Sequence, residues 1–223
     1  MRLIPTATSV AFMMQAVTAL AGPPTGAVSG TVPIPARATG RIAVEKYTGT
    51  ISGKVGAPPA PRAGVWIEGT GITAPASPPR VVLSQKDYQF AQSLLIIPRG
   101  TAVEFPNNDN DYHNIFSLSR VKRFDVGRYK KSEAPSPVVT FDTAGFVRLQ
   151  CEIHDHMKAA VLVVDSPWCT TTDATGKFTL TGLPPGSYTL RAQLDEKTKW
   201  SAQITIATGK TASADFSKPA AAP

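Results

Sequence analysis

No stretch of this chain sustains helical periodicity. Twenty prolines and seventeen glycines are instead spread between short runs of Val, Ile, Thr and Phe. Proline removes a helical hydrogen bond and glycine supplies positive φ at turns, so such spacing favours strands and tight connections. The fold class expected is therefore all-β. With 223 residues the chain is long enough for one large sandwich or two small ones.

Before that fold begins, Arg2 precedes an apolar run over residues 10–20 that ends in Ala19-Leu20-Ala21, which reads as a secretory signal over 1–21 with a small-residue cleavage site. Periplasmic or secreted localisation follows. Nothing after it is long and apolar enough to span a bilayer as a helix. The formal charge is +7 and stays clearly basic without Arg2, which favours acidic partners. No basic motif interleaved with aromatics is present, so nucleic acid is not an expected partner.

Residues 22–47 are rich in Gly, Pro, Ala and Thr with little patterning and read as a linker or arm. Strand-like runs follow at 48–55 and 64–69, with a punctuated stretch at 70–79. From 80 to 165 strands come in close succession. In 101–105 alternation turns Val103 and Phe105 inward and Glu104 outward; in 146–151 it puts Val147, Leu149 and Cys151 on one face. The continuous apolar run 160–164 suits a strand buried on both sides. Residues 166–217 hold further short strands but are too few to offset chain entropy alone, so they are expected to borrow strands from elsewhere. Residues 218–223 read as a disordered tail.

The chemistry is concentrated. All three histidines, His113, His154 and His156, fall within 45 residues together with Cys151 and Met157. A thiolate, two imidazoles and a thioether form a donor set with a weak axial sulfur, the set that suits a type 1 copper centre. Copper, one ion, is thus the cofactor expected. The competing reading is a disulfide between Cys151 and Cys169, which gives no reason for two histidines and a methionine to crowd the loop after Cys151.

The stretch 103–114, ending in His113-Asn114, together with Cys151-x-x-His154-x-x-Met157, resembles the cupredoxins, specifically the short-loop kind seen in amicyanin, over residues 80–165. The resemblance implies a Greek-key β-sandwich with His113, Cys151 and His154 as equatorial ligands and Met157 as the axial one. It also implies that Asn114 braces the Cys-bearing loop and that the outer edge of His154 is the electron port. His156 remains an alternative ligand; it stands where such loops carry an aromatic, and Ile153 and Asp155 stand where proline is frequent. Relatives of this kind are linked to methylamine utilisation, a link no residue here establishes. The flanking segments look like a carboxypeptidase-regulatory-like sandwich of transthyretin or immunoglobulin type. Its opening elements would lie in 48–79 and its closing ones in 166–217, with the cupredoxin inserted between.

Three histidines are too few for an additional catalytic copper, and neither a His-Glu-x-x-His zinc motif nor a nucleophile set is present. The chain is read as no enzyme but as an electron carrier. A copper-holding or surface-interaction protein without redox cycling is the alternative. The polar residues Asn107, Asn108, Asp109, Asn110 and Asp111 read as turn formers. Arg120, Lys122, Arg123, Arg128, Lys130 and Lys131 read as a solvated basic run, or as the docking face for a redox partner with an acidic surface.

Overall fold

The computed structural model describes residues 25–36 and 54–217. The signal at 1–21, most of the 48–55 run and the tail at 218–223 lie outside the described residues.

Seventeen strands make up the described architecture. In chain order they are β1 (Gly26–Thr31), β2 (Gly64–Glu68), β3 (Arg80–Val82), β4 (Gln85–Lys86), β5 (Gln89–Phe90) and β6 (Leu94–Pro98). Next come β7 (Thr101–Glu104), β8 (His113–Ser119), β9 (Lys122–Tyr129), β10 (Val138–Phe141), β11 (Gly145–Gln150) and β12 (Lys158–Val164). The last five are β13 (Cys169–Thr171), β14 (Lys177–Leu183), β15 (Gly186–Gln193), β16 (Lys199–Ile206) and β17 (Thr211–Ser213). No helix among the described residues is long and apolar enough to cross a membrane.

One sandwich faces a five-stranded sheet, β6-β12-β11-β8-β9, with a three-stranded one, β10-β7-β3. Alternation fills the space between them: Val103 and Phe105 from β7 and the residue after it, Ile115 from β8, Val147 and Leu149 from β11, and Val161 and Val163 from β12 are buried in one cluster. The same alternation carries Cys151 to the end of that core, where it is 3% exposed.

The other sandwich is assembled from both ends of the chain. β2 pairs with β13 and β15, and β15 with β16; the facing sheet is β14-β1-β17. Its core contains Val65, Ile67, Leu180, Leu190 and Trp200. Strands that precede and strands that follow residues 80–165 therefore close one hydrophobic core.

The expectation of an arm over 22–47 is corrected at β1. Gly26–Thr31 pairs antiparallel with β14 and parallel with β17, and Val28 and Val32 are buried. Small residues hide its amphipathicity, and their smallness is what the position requires: a Cβ at Gly30 would stand 1.8 Å from the Ala214 carbonyl oxygen. The described part of the 48–55 run, Lys54 and Val55, carries no strand.

The two sandwiches share a seam. Leu94 and Ile96 of β6 and Ala160, Leu162 and Val164 of β12 turn away from the first core and bury against Trp66, Phe146 and Cys169. This explains the unbroken apolar run in β12, whose two faces enter two cores. Gly64 is needed here, because a Cβ would come within 2.8 Å of Leu162 and 3.0 Å of Ile96. Leu162→Ala removes a side chain that is 2% exposed and is expected to cost about 2–5 kcal/mol. Denaturation followed by tryptophan fluorescence and by circular dichroism should lose that stability in both sandwiches at once; a loss confined to one would contradict the shared seam.

Candidate metal centre

Four segments meet at one end of the first sandwich. β8 begins there with His113, β11 ends there and hands over to Cys151, the tight turn 151–157 returns to β12, and the short β4–β5 hairpin lies alongside. The Met157 amide donates to the His154 carbonyl at 2.9 Å, which closes that turn.

The ligating atoms of His113, Cys151 and His154 lie within 4.8 Å of one another, and all three residues are buried. The two imidazoles face each other through Nδ1 at 3.2 Å, and the Cys151 sulfur is 3.9 Å from His154 Nδ1. Two ring nitrogens at that separation can share one proton, whereas a cation would engage both lone pairs and the thiolate together. Met157 is fully buried in the same core cluster as Cys151. The donor set, soft sulfur with two imidazoles in a dry pocket, fits copper.

Electrostatics separate the two cysteines, which are both free thiols; the competing disulfide is not formed. Burial pushes the Cys151 thiol up, but hydrogen bonds from His113 and His154 and from the Asn114 and His154 backbone outweigh it and bring the thiol down to about 6. Burial alone drives Cys169 up to about 11. At neutral pH one sulfur is thus a ready ligand and the other a protonated apolar group.

Asp109 is more than a turn former. Its carboxylate accepts the backbone N–H of Asp87 at 2.7 Å and of Tyr88 at 3.0 Å, and lies 2.8 Å from His113 Nε2. Burial would raise the Asp109 carboxyl, but these partners hold it below the ordinary range. An ionised carboxylate only accepts, so His113 keeps a proton on Nε2 and turns Nδ1 to the pocket, toward His154 and Cys151. Burial works against protonation of His113, yet Asp109 and Cys151 raise its pKa. A four-residue spacing between Asp109 and His113 was the available signal, obscured by the surrounding run of Asn and Asp.

Asn114 accepts the Glu152 N–H through Oδ1 at 3.3 Å and donates to Asp125 at 2.7 Å, tying β8 and β9 to the start of the loop. His156, the alternative ligand, is half-buried and its Nε2 meets the Tyr88 carbonyl at 3.0 Å. His154 departs further from expectation, since it is 1% exposed and its edge reaches no open surface. Tyr88, which sequence reasoning did not single out, covers it. Its ring stands edge-on to His113 and to His154, with centroids 5.5 and 5.1 Å away.

The described chain is all-β and gathers one thiol sulfur and two imidazole nitrogens at the buried end of one of its two sandwiches. Residues 156–217 match the carboxypeptidase regulatory-like domain. That span begins inside the turn and includes β12, which pairs with β6 and β11. Among solved structures, the copper-containing nitrite reductase of Thermus scotoductus SA-01 aligns at 25% identity and TM-score 0.36 over 38% of this chain, which spans only 22% of that enzyme. A Cu(I) amicyanin variant aligns at 21% identity and TM-score 0.35 over 38% of this chain and 81% of its own. A purple cupredoxin from Nitrosopumilus maritimus aligns at 22% identity and TM-score 0.33 over 37% and 96%. No protein of curated function matches in sequence.

A folded value near 6 against an ordinary 9.0 means that the thiolate stabilises the metal-free fold fully above about 9, and that this contribution is lost as pH falls through 6. In a Cys169→Ser background, ultraviolet thiolate absorbance is expected to titrate near pH 6, and the stability difference from Cys151→Ser should grow from pH 6 to 9. A midpoint near 9 would contradict the imidazole contacts. Asp109→Ala, which strips three hydrogen bonds from the pocket wall, should destabilise the metal-free protein by about 1–3 kcal/mol, measured by urea denaturation.

Proposed function

We propose that this chain is a periplasmic or secreted type 1 copper protein that passes single electrons and is not itself an enzyme. One observation carries the reading: a low-pKa thiolate and two imidazole Nδ1 atoms converge at a buried, preorganised end of a β-sandwich. His113, Cys151 and His154 would hold the ion and Met157 would supply the weak axial sulfur; His156, engaged with the Tyr88 backbone, is set aside as a ligand. Bound there, copper supplies a one-electron couple.

The protein's part is to keep the donors where they are in both valence states. Asp109 fixes the His113 tautomer, Asn114 pins the loop start, and the core beneath Cys151 and Met157 resists movement. Little reorganisation is then needed when the electron moves. Residues 80–165 form, in this reading, a cupredoxin inserted into the carboxypeptidase-regulatory-like sandwich, with β1 added to the 48–79 and 166–217 segments. The seam makes the outer sandwich a rigid mount.

The burial of His154 favours a second reading, a copper-holding protein that does not cycle. Copper-loaded protein separates the two: an intense thiolate-to-copper visible band that bleaches and returns reversibly on one-electron reduction and oxidation supports the carrier. Cys151→Ser is expected to abolish the band. A colourless copper complex, or one that does not cycle, would sink electron transfer.

A partner with an acidic face is part of the proposal. The basic residues follow the edge hairpin from Arg120, in the turn after β8, to Lys131, just past β9. Only Arg128, Lys130 and Lys131 lie at the metal end, and Arg128 is paired with Glu152 at 2.6 Å. Docking along this rim should slow by roughly tenfold or more as ionic strength rises from low to physiological, read by stopped-flow electron transfer; salt-independent rates would remove the acidic partner.

A further inference from the structure

The turn between β4 and β5 places two non-glycine residues in the left-handed region, Asp87 at φ 53 and Tyr88 at φ 58. Two-residue hairpins with both central residues there ordinarily use Asn-Gly or Asp-Gly, since a side chain at positive φ is strained. Here the second position is a tyrosine, and its ring is only 3% exposed. A glycine would relieve the backbone but leave the pocket open. The strain therefore points to a use for the ring.

That use is visible in what the turn touches. The Tyr88 ring packs edge-on against both imidazoles. Its hydroxyl donates to Asp111, its amide donates to Asp109, and its carbonyl meets His156 Nε2. Asp109 in turn holds His113. The turn is thus tied to the loop before β8 by two carboxylates and to the Cys151 turn by one imidazole.

We propose that the β4–β5 hairpin is a cap over the metal pocket, with Tyr88 as the positioning residue that seats both histidine rings and shuts out external ligands, and His156 as the tether that holds the cap closed. The idea extends the copper reading, but the cap itself can be tested without metal. With the ring in place, small anions and chelators have no path to the donors past the turn. His156 thereby acquires a role other than ligation, and electron exchange has to pass through the cap, not through an open His154 edge.

The test uses the full chain in a Cys169→Ser background, so that Cys151 is the sole thiol. In metal-free protein the modification rate of Cys151 by a neutral thiol reagent is expected to rise at least about tenfold in Tyr88→Ala and several-fold in His156→Ala, and to stay within about twofold in Tyr88→Phe, which keeps the ring. His156→Ala leaves the core side chains intact, so its result stands even where Tyr88→Ala unfolds. In copper-loaded protein, Tyr88→Ala should admit azide, seen as a new visible band, and speed copper loss to a chelator, while Tyr88→Phe keeps the parent spectrum. Unchanged Cys151 modification in folded Tyr88→Ala or His156→Ala overturns the cap. Failure of the parent protein to give a thiolate-to-copper band would overturn the copper reading alone, because the thiol rates judge the cap independently.

Discussion

β12 is the strand on which the rest of the molecule depends, because it is buried on both faces. Val161 and Val163 enter the core beneath the metal pocket, whereas Ala160, Leu162 and Val164 enter the seam with the second sandwich. Polar residues are excluded from both sides, so its register is strongly specified, since a slip by one residue would exchange the two sets. β11 is paired to it along its whole length, and the end of β11 delivers Cys151. Fixing β12 therefore fixes the sulfur.

From that anchor the pocket is built by hydrogen bonds that each do two things. Asp109 sets the proton of His113 and also holds the strained turn that carries Tyr88. Asn114 binds Glu152, next to Cys151 in the loop, while linking to β9. The thiolate is stabilised by the imidazoles that would share its ion. A site braced in this way resists rearrangement when its charge changes, as the proposed electron carrier would require. The contrast with Cys169, equally short of a disulfide but held protonated by burial, shows how far the surroundings and not the residue type decide.

Period-two alternation made much of this legible in the sequence. It pointed Val103 and Phe105 inward and carried Cys151 to the sandwich end, and the weak closing segment signalled that it borrowed strands. β1 was illegible because Gly, Ala, Ser and Thr carry almost no hydrophobic contrast; its strand character comes from pairing with β14 and β17. Tyr88 was illegible for another reason. It lies far from the histidines in the chain, and only the folded hairpin brings its ring to them. The burial of His154 and the engagement of His156 follow from that same hairpin, so the loop read by itself left His154 with an open edge and His156 as a spare ligand.

X-ray absorption at the copper edge, on loaded protein in both oxidation states, bears most directly on the claim that the scaffold holds its donors still. The expected result is one sulfur and two imidazole nitrogens in the inner shell of both states, with little change in distance. A shell of oxygen and nitrogen without sulfur, or one that gains or loses a ligand on reduction, would contradict it.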